Sequence, residues 1–272
     1  MSQDLTADAA VLVTGAASGI GRATVELLLA QGVRVVAVDL DGGALAELGG
    51  LAGVVTLAGD VAEEGTNRAA VELAVETYGR LDGVVLNAGT GGTLPWEDPR
   101  AVAAAERIFA VNLRGPMLGI RAAVPALRQA GGGAIVVTAS VAGLRADPGT
   151  WAYNASKSAV LNLVRAAALD YAAAGIRVNA VAPGLTRTRM GGGPGERRTA
   201  RRVPLRRYAE PREQAEAIRF LLSPAASYVT GATLVVDGGL DASLGLLPPP
   251  DLAVPAAAVI RRRRRRSARS RR

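Results

Sequence analysis

Tyr153 and Lys157 stand four residues apart in the stretch YNASKSAV, and Lys157 is the only lysine in a chain whose other 31 basic residues are arginine. Side chains at positions i and i+4 of a helix share a face, so these two would be neighbours. A nearby cation favours phenolate, and we therefore expect Lys157 to lower the pKa of Tyr153 towards the range of a useful acid or base. A compact, rotatable ammonium suits this place better than a wide planar guanidinium. The alternative is a tyrosine packed in the core beside a solvated lysine.

Ser140 is the second candidate, thirteen residues before Tyr153 at the end of the apolar segment GAIVVTAS. Ligands bind at the carboxyl ends of parallel strands, where its hydroxyl could hold a substrate oxygen beside the phenol. A turn serine without function fits the same position.

The chain has no cysteine and no histidine. That composition excludes thiolate chemistry, imidazole bases and histidine-ligated metals, so we expect no metal and leave acid-base work to Asp, Glu, Tyr or Lys.

A glycine-rich stretch, TGAASGIG at residues 14–21, follows the apolar run VLV. Gly15, Gly19 and Gly21 would allow a tight turn and let backbone N–H groups and a helix N-terminus approach a pyrophosphate. Asp39 follows the next apolar run, where its carboxylate can accept hydrogen bonds from ribose hydroxyl groups and would repel a 2′-phosphate. Leu40 and the loop offer no compensating arginine, so NAD is favoured over NADP. A chance turn followed by a strand-end aspartate is the alternative.

The elements that must position these residues alternate regularly. Short apolar runs appear as AAVLVTG, VRVVAVD, GVVTLAGD, LDGVVLNAG, GAIVVTAS, IRVNAVAPG and ATLVVDGG, and helical patterns lie between them at 18–31, 62–78, 99–129, 152–174 and 210–222. Near-continuous apolar strands are typical of a parallel sheet covered on both faces. The pattern and the length predict an α/β protein with a single doubly wound Rossmann-type domain over residues 1–240, built on a seven-stranded parallel sheet.

Two regions depart from the alternation. Residues 185–209 are rich in glycine and arginine and would suit a mobile substrate lid, or they form an ordinary surface loop. Residues 241–272 run from a proline-rich linker into RRRRRRSARSRR, and without that arginine run the chain has 23 basic and 24 acidic residues. We expect this end to be disordered, with nucleic acid as a partner only if the tail is functional.

The N-terminus carries no leader-like pattern, and no apolar run approaches the roughly 20 residues of a membrane span. We therefore expect a cytoplasmic protein without a membrane partner.

Taken together, these motifs resemble the short-chain dehydrogenase/reductase family over about residues 9–240. TGAASGIG matches the family's T-G-x-x-x-G-x-G loop, NAG at 87–89 its N-A-G turn, and Ser140 with Tyr153-x-x-x-Lys157 its catalytic set. PGLTRT at 183–188 resembles the segment beside the nicotinamide, and YVTGATLVVDGG is typical of the family's last strand. One departure is Leu86, where many members have a second asparagine.

The resemblance implies a catalytic tetrad of Asn112, Ser140, Tyr153 and Lys157. Tyrosine would be the acid-base catalyst, serine would orient the carbonyl or alcohol, lysine would contact ribose, and asparagine would keep a water in the proton relay. Without the resemblance, Asn112 is better explained as a helical asparagine beside a Gly-Pro kink. Tyr153 and Lys157 are also implied in cofactor binding, together with Gly15, Ser18, Gly19, Ile20, Gly21, Asp39, Asp60 near the adenine, Val61, Asn87, Ala88, Gly89, Pro183, Gly184 and Thr188 near the carboxamide.

The function implied by the resemblance is NAD-dependent interconversion of a secondary alcohol and a ketone by hydride transfer, in a homodimer or homotetramer. The helix from Ala152 carries Ala155, Ala159 and Ala166 at helical spacing, which would permit close approach of a second copy, although packing against the sheet explains the same pattern. A cofactor-binding scaffold without turnover is a further alternative. The resemblance does not name the substrate.

Overall fold

A seven-stranded parallel sheet forms the centre of the computed structural model, which describes residues 5–191 and 196–242. The predicted linker and tail beyond residue 242 and four residues of the predicted lid lie outside these ranges. The sheet order is β3-β2-β1-β4-β5-β6-β7. The strands are β1 Ala10–Thr14, β2 Arg34–Asp39, β3 Val54–Ala58, β4 Gly83–Leu86, β5 Gly133–Thr138, β6 Ile176–Pro183 and β7 Thr233–Val236.

The strand order reverses between β1 and β4, which lie side by side with Val11 opposite Gly83. In doubly wound sheets this reversal opens a crevice at the carboxyl ends of the strands. The polypeptide leaves β1 into the glycine-rich stretch and leaves β4 into the N-A-G turn, so both motifs meet there. The predicted Rossmann-type fold and its seven parallel strands are confirmed.

Helices cover both faces of the sheet, which explains the near-continuous burial of the central strands. One core packs α3, α5 and α6 against the sheet, and the other packs α1, α2 and α8. The α-helices in the described ranges are α1 Gly19–Leu29, α2 Gly42–Gly49, α3 Glu64–Tyr78, α4 Ala101–Phe109, α5 Gly115–Gln129, α6 Trp151–Tyr171, α7 Glu196–Ala200 and α8 Pro211–Leu222. None of these described helices has the length and apolar character needed to cross a membrane.

The predicted helix over 99–129 is wrong in one respect, because it is divided between α4 and α5. A π-helical turn, Ala110–Arg114, joins the two, and the N–H of Gly115 donates to the carbonyl of Ala110, five residues back. Pro116 has no N–H and cannot continue the regular α-helical ladder, which accounts for the distortion. The sequence patterns also missed α2, which begins where the Asp41 carboxylate accepts a 3.0 Å hydrogen bond from the N–H of Ala44.

The predicted lid region is tied together at its two ends. Thr186 pairs with Ala209 in an isolated bridge. Arg187 forms ion pairs with Glu196, at 2.8 Å, and with Glu210. The start of the segment is therefore held against the start of α8.

Candidate active site

A cleft of about 760 Å³ lies at the carboxyl edge of the sheet. Its wall brings together the glycine-rich stretch, the ends of β2, β3, β4 and β5, the first turn of α6 and residues 183–191. Sixteen predicted residues line it: Gly15, Ser18, Gly19, Ile20, Asp39, Asp60, Val61, Asn87, Ala88, Gly89, Ser140, Tyr153, Lys157, Pro183, Gly184 and Thr188. Gly21 and Asn112 do not line the cleft and support it from behind.

Lys157 lies beneath the phenol ring of Tyr153. Its Nζ is 5.9 Å from the centre of the ring and donates a 2.8 Å hydrogen bond to the carbonyl of Thr138 at the end of β5. The side chain is almost fully buried, and this burial lowers the pKa of Lys157 to about 8. The ammonium is therefore held at a defined place by the sheet while it also lines the cleft.

The expected lowering of the Tyr153 pKa is not found in this structure. Burial raises the pKa of Tyr153, and a side-chain contact with the Ser140 hydroxyl acts in the opposite direction but does not prevent the rise. Desolvation of the buried phenol is the larger effect, and the nearby ammonium, which donates to the Thr138 carbonyl, does not reverse it. The neutral phenol is therefore the resting form at neutral pH.

Ser140 is held by the turn that follows β5. Its backbone is extended, and its Oγ accepts a 3.1 Å hydrogen bond from the N–H of Ala142 at the start of a short 3₁₀ turn, Val141–Gly143. Because the oxygen accepts this bond, the hydroxyl proton is left to donate towards the cleft. A serine that caps a turn thus also lines the cleft, so the two alternatives from the sequence are compatible.

Asn112 is buried in the π-helical turn, where it joins two parts of the site. Its Oδ1 accepts a 2.8 Å hydrogen bond from the N–H of Thr90, and its Nδ2 donates to the Thr90 carbonyl at 2.9 Å and to Ser156 Oγ at 3.1 Å. Ser156 Oγ donates in turn to the carbonyl of Tyr153 at 2.8 Å. Asn112 therefore holds the loop after β4 against α6, directly behind Tyr153.

The glycines form a cradle that side chains would fill. A Cβ on Gly21 would lie 1.9 Å from the carbonyl oxygen of Gly15, and one on Gly15, whose φ is +65°, would lie 2.8 Å from the Cα of Ala88. Ser18 precedes α1 without a side-chain capping bond, so its hydroxyl is not committed to the helix. The open turn and the first N–H groups of an eleven-residue helix suit a diphosphate group.

Asn87 fastens the cradle to the sheet. Its Nδ2 donates to the carbonyls of Thr14 and Gly15 at 3.1 and 3.2 Å, and its Oδ1 accepts from Thr138 Oγ1 at 3.1 Å. The ends of β1, β4 and β5 are thereby joined. The unusual Leu86 next to it is buried in the core beneath Gly119, away from this network.

Two carboxylates lie at the other end of the cleft. Asp39 accepts hydrogen bonds from the N–H groups of Ala17 at 2.9 Å and Asp41 at 3.1 Å. Burial alone would raise the pKa of Asp60, but hydrogen bonds from the Ala62 N–H and the Arg107 guanidinium outweigh it and lower that pKa. The Asp60 Oδ2 to Arg107 Nη1 distance is 2.9 Å.

The sequence patterns missed part of the cleft wall. Arg107 is 47 residues from Asp60, and no local motif marks it; its only signal is the i, i+4 spacing from Val111, which also lines the cleft. Other lining residues without a motif include Thr90, Thr93, Asp147 and Thr150, whereas Arg189 and Met190 belong to the predicted lid.

Comparison with known proteins gives the family. The family model described as Enoyl-(Acyl carrier protein) reductase matches residues 15–241. Cis-4-hydroxycyclohexanecarboxylate dehydrogenase of Sinomonas cyclohexanicum is 42% identical over 251 residues, covering 87% of this chain and 98% of that protein. Cyclohexanol dehydrogenase of Acinetobacter sp. (strain SE19) is 40% identical over 234 residues, covering 84% and 92%.

Among solved structures, the 3-ketoacyl-(acyl-carrier-protein) reductase of Brucella melitensis complexed with NADH superposes with a TM-score of 0.82 at 33% identity, covering 86% of this chain and 98% of that one. The chain belongs to the short-chain dehydrogenase/reductase family. It is an oxidoreductase of that family.

Proposed function

We propose that this protein interconverts a secondary alcohol on a carbon ring and the corresponding ketone, using NAD(H), with Tyr153 as the acid-base catalyst. The observation that carries the proposal is the convergence of Tyr153, Ser140 and Lys157 on one cleft that also holds the glycine cradle. The names of the two relatives support the ring, since one is a cyclohexanol dehydrogenase and the other acts on a hydroxycyclohexanecarboxylate.

The residues present fit a dinucleotide. The glycine cradle and the start of α1 would hold the diphosphate, and Asp39 would accept hydrogen bonds from ribose hydroxyl groups with the lone pairs that its two backbone contacts leave free. The carboxylate and the apolar Leu40 beside it favour NAD over NADP, because a 2′-phosphate would be repelled. When bound, the nicotinamide supplies hydride transfer to or from the carbinol carbon.

Side chains of this protein would donate and accept the proton that the reaction requires. During ketone reduction, Tyr153 donates its phenol proton to the carbonyl oxygen while Ser140 donates a hydrogen bond to the same oxygen. During alcohol oxidation the phenolate takes the hydroxyl proton back. The Lys157 ammonium stabilises the phenolate that forms, and the Thr138 carbonyl keeps that ammonium in place. Because burial raises the pKa of Tyr153, the protonated phenol that donates in the reductive step is the form present at neutral pH.

We also infer a homo-oligomer through α6. Ala155 and Ala166 are exposed and Ala159 is half-buried, so packing against the sheet does not explain all three small residues. A flat strip of alanines on one side of a helix allows close approach of a second copy. Light scattering on the wild type and on Ala159→Arg measures this, and a wild type that is monomeric at micromolar concentration would contradict it.

The test of function is NADH consumption with cyclohexanone, 4-oxocyclohexanecarboxylate and an open-chain ketone, in the wild type and in Tyr153→Phe. We expect turnover of the ring ketones to fall by about 100-fold or more in the variant, while NADH still binds. Tyr171→Phe is the matched control, since Tyr171 is on the same helix outside the cleft and should keep the wild-type rate. A wild type that does not bind NADH, or a Tyr153→Phe variant that keeps its rate, would refute the proposal.

A further inference from the structure

A buried glutamine on α8 contacts the first residues of the predicted lid. The Gln214 side chain is fully buried. Its Nε2 donates a 2.9 Å hydrogen bond to the carbonyl of Val236 at the end of β7 and a 3.3 Å hydrogen bond to Thr186 Oγ1. Thr186 belongs to the segment 184–191, which follows β6 and forms part of the cleft wall. One amide group therefore joins this segment to the last strand of the sheet.

The orientation of this amide leaves its oxygen without a partner. The Val236 carbonyl can only accept a hydrogen bond, so the nitrogen of Gln214 must face it. The amide oxygen, Oε1, is buried and has no hydrogen-bond partner among the described residues. A buried acceptor without a partner reduces stability, and an apolar side chain of similar shape would avoid that cost. Packing alone therefore does not explain a glutamine at this position.

The other contacts that hold the segment lie nearer to the solvent. Arg187 pairs with two glutamates, and its side chain is 48% exposed. Exposed ion pairs contribute little, because water and salt screen them. The N–H of Arg187 also donates to the carbonyl of Ala209, but that bond joins two loops and not the sheet. The bond between Gln214 and Thr186 is buried, so water does not compete for it.

The position of Thr186 determines where the next residues of the segment lie. The N–H of Thr188 donates to the Thr186 carbonyl at 2.9 Å, and a Cβ on Gly191 would lie 2.6 Å from the same oxygen. The segment is therefore folded tightly around Thr186. Thr188 lines the cleft beside the glycine cradle, since a Cβ on Gly19 would lie 3.0 Å from its Cγ2. A displacement of Thr186 would move Thr188 relative to the cradle.

We propose that Gln214 is a positioning residue that fixes the segment 184–191 beside the dinucleotide site, at a cost to the stability of the fold. The inference rests on the proposed use of NAD(H). Because the segment is already held in the free protein, less order has to be gained when the dinucleotide binds. Removal of the Gln214 amide therefore weakens dinucleotide binding without weakening the fold. A glutamine that served only stability would have the opposite effects.

The experiment compares the wild type with Gln214→Met, which keeps the length of the side chain and removes both the hydrogen bonds and the unpartnered oxygen. We expect the NADH dissociation constant, measured by nucleotide fluorescence, to rise about fivefold, which is the size of one hydrogen bond. The midpoint of thermal unfolding should be unchanged or up to about 4 °C higher. Hydrogen–deuterium exchange over residues 184–191, measured without nucleotide, should be faster in the variant.

Gln31→Met is the matched control. Gln31 also has a buried amide oxygen without a partner among the described residues, but it follows α1 and does not line the cleft. Its substitution should leave the NADH dissociation constant at the wild-type value. Thr186→Val tests whether Gln214 acts through Thr186, because valine has the shape of threonine without the hydroxyl group. Adding Thr186→Val to Gln214→Met should not weaken NADH binding further.

Several results would overturn the inference. A Gln214→Met variant that fails to fold, or that unfolds at a lower temperature than the wild type, would overturn it, because the side chain would then serve stability. Unchanged exchange over residues 184–191 or unchanged NADH binding would do the same, as would a further loss of affinity when Thr186→Val is added. A wild type that does not bind NADH would refute the proposed function, and the exchange comparison would still test the positioning role of Gln214.

Discussion

Replacing Lys157 with methionine should make the protein more stable while removing its activity. The side chain is buried, and its pKa is lowered by that burial from 10.5 to about 8. Each pKa unit corresponds to about 1.4 kcal/mol, so keeping the ammonium buried at pH 7 costs about 3 kcal/mol of unfolding free energy. Methionine has a similar length and no charge. It cannot donate the hydrogen bond that Lys157 makes to the Thr138 carbonyl, and the loss of that bond offsets about 1 kcal/mol of the gain.

The pH dependence isolates this effect. The folded pKa lies below the unfolded one, so between about pH 8 and 10.5 the unfolded chain binds more protons and the wild type gains stability as the pH rises. Below about pH 8, Lys157 is protonated in both the folded and the unfolded protein, so the full cost of burying the ammonium applies. The advantage of Lys157→Met should therefore shrink by about 2 kcal/mol between pH 7 and pH 9.5.

The assay is urea unfolding of both proteins at equal concentration, without nucleotide, across that pH range. Other titrating groups are common to the two proteins and cancel in the difference. A difference in unfolding free energy that is constant from pH 7 to pH 9.5 would refute the reasoning. Loss of turnover in Lys157→Met, measured with the ketone panel, is the accompanying functional prediction.

Three further predictions concern other parts of the site. Asp39→Ala should weaken NADH binding and strengthen NADPH binding, changing their ratio by about 10-fold or more, because the repelling carboxylate is removed; an unchanged ratio in a nucleotide titration would contradict it. Asn112→Ala should lower the unfolding free energy by about 2 to 4 kcal/mol, because it leaves buried backbone groups of the loop after β4 unpaired; denaturant unfolding measures this, and a loss below about 1 kcal/mol would count against the bridging role. Gly21→Ala should abolish NADH binding or folding, since its Cβ would overlap the Gly15 carbonyl, whereas Gly65→Ala, with open space around it, should do neither; calorimetry and circular dichroism compare the two variants.

The fold and most of the cleft could be predicted because their signals are local. A short apolar run indicates a strand. The glycine turn is indicated by glycines at positions where close contacts leave no room for a side chain. The pairing of Tyr153 with Lys157 follows from the repeat of one helix. All three patterns depend on backbone geometry over a few residues, so they are present in the chain before it folds.

Other features depended on segments that are far apart in the chain. The Asp60–Arg107 pair joins β3 to α4, and the Asn112 bridge connects a π-helical turn to the loop after β4 and to α6. The direction of the Tyr153 pKa was predicted wrongly, because proximity to a cation was visible in the sequence and the depth of burial was not. Spacing along the chain therefore identified the motif residues of the cleft, but not wall residues such as Arg107. Only tertiary packing decided their partners and protonation, because desolvation and long-range hydrogen bonds exist only once the helices cover the sheet.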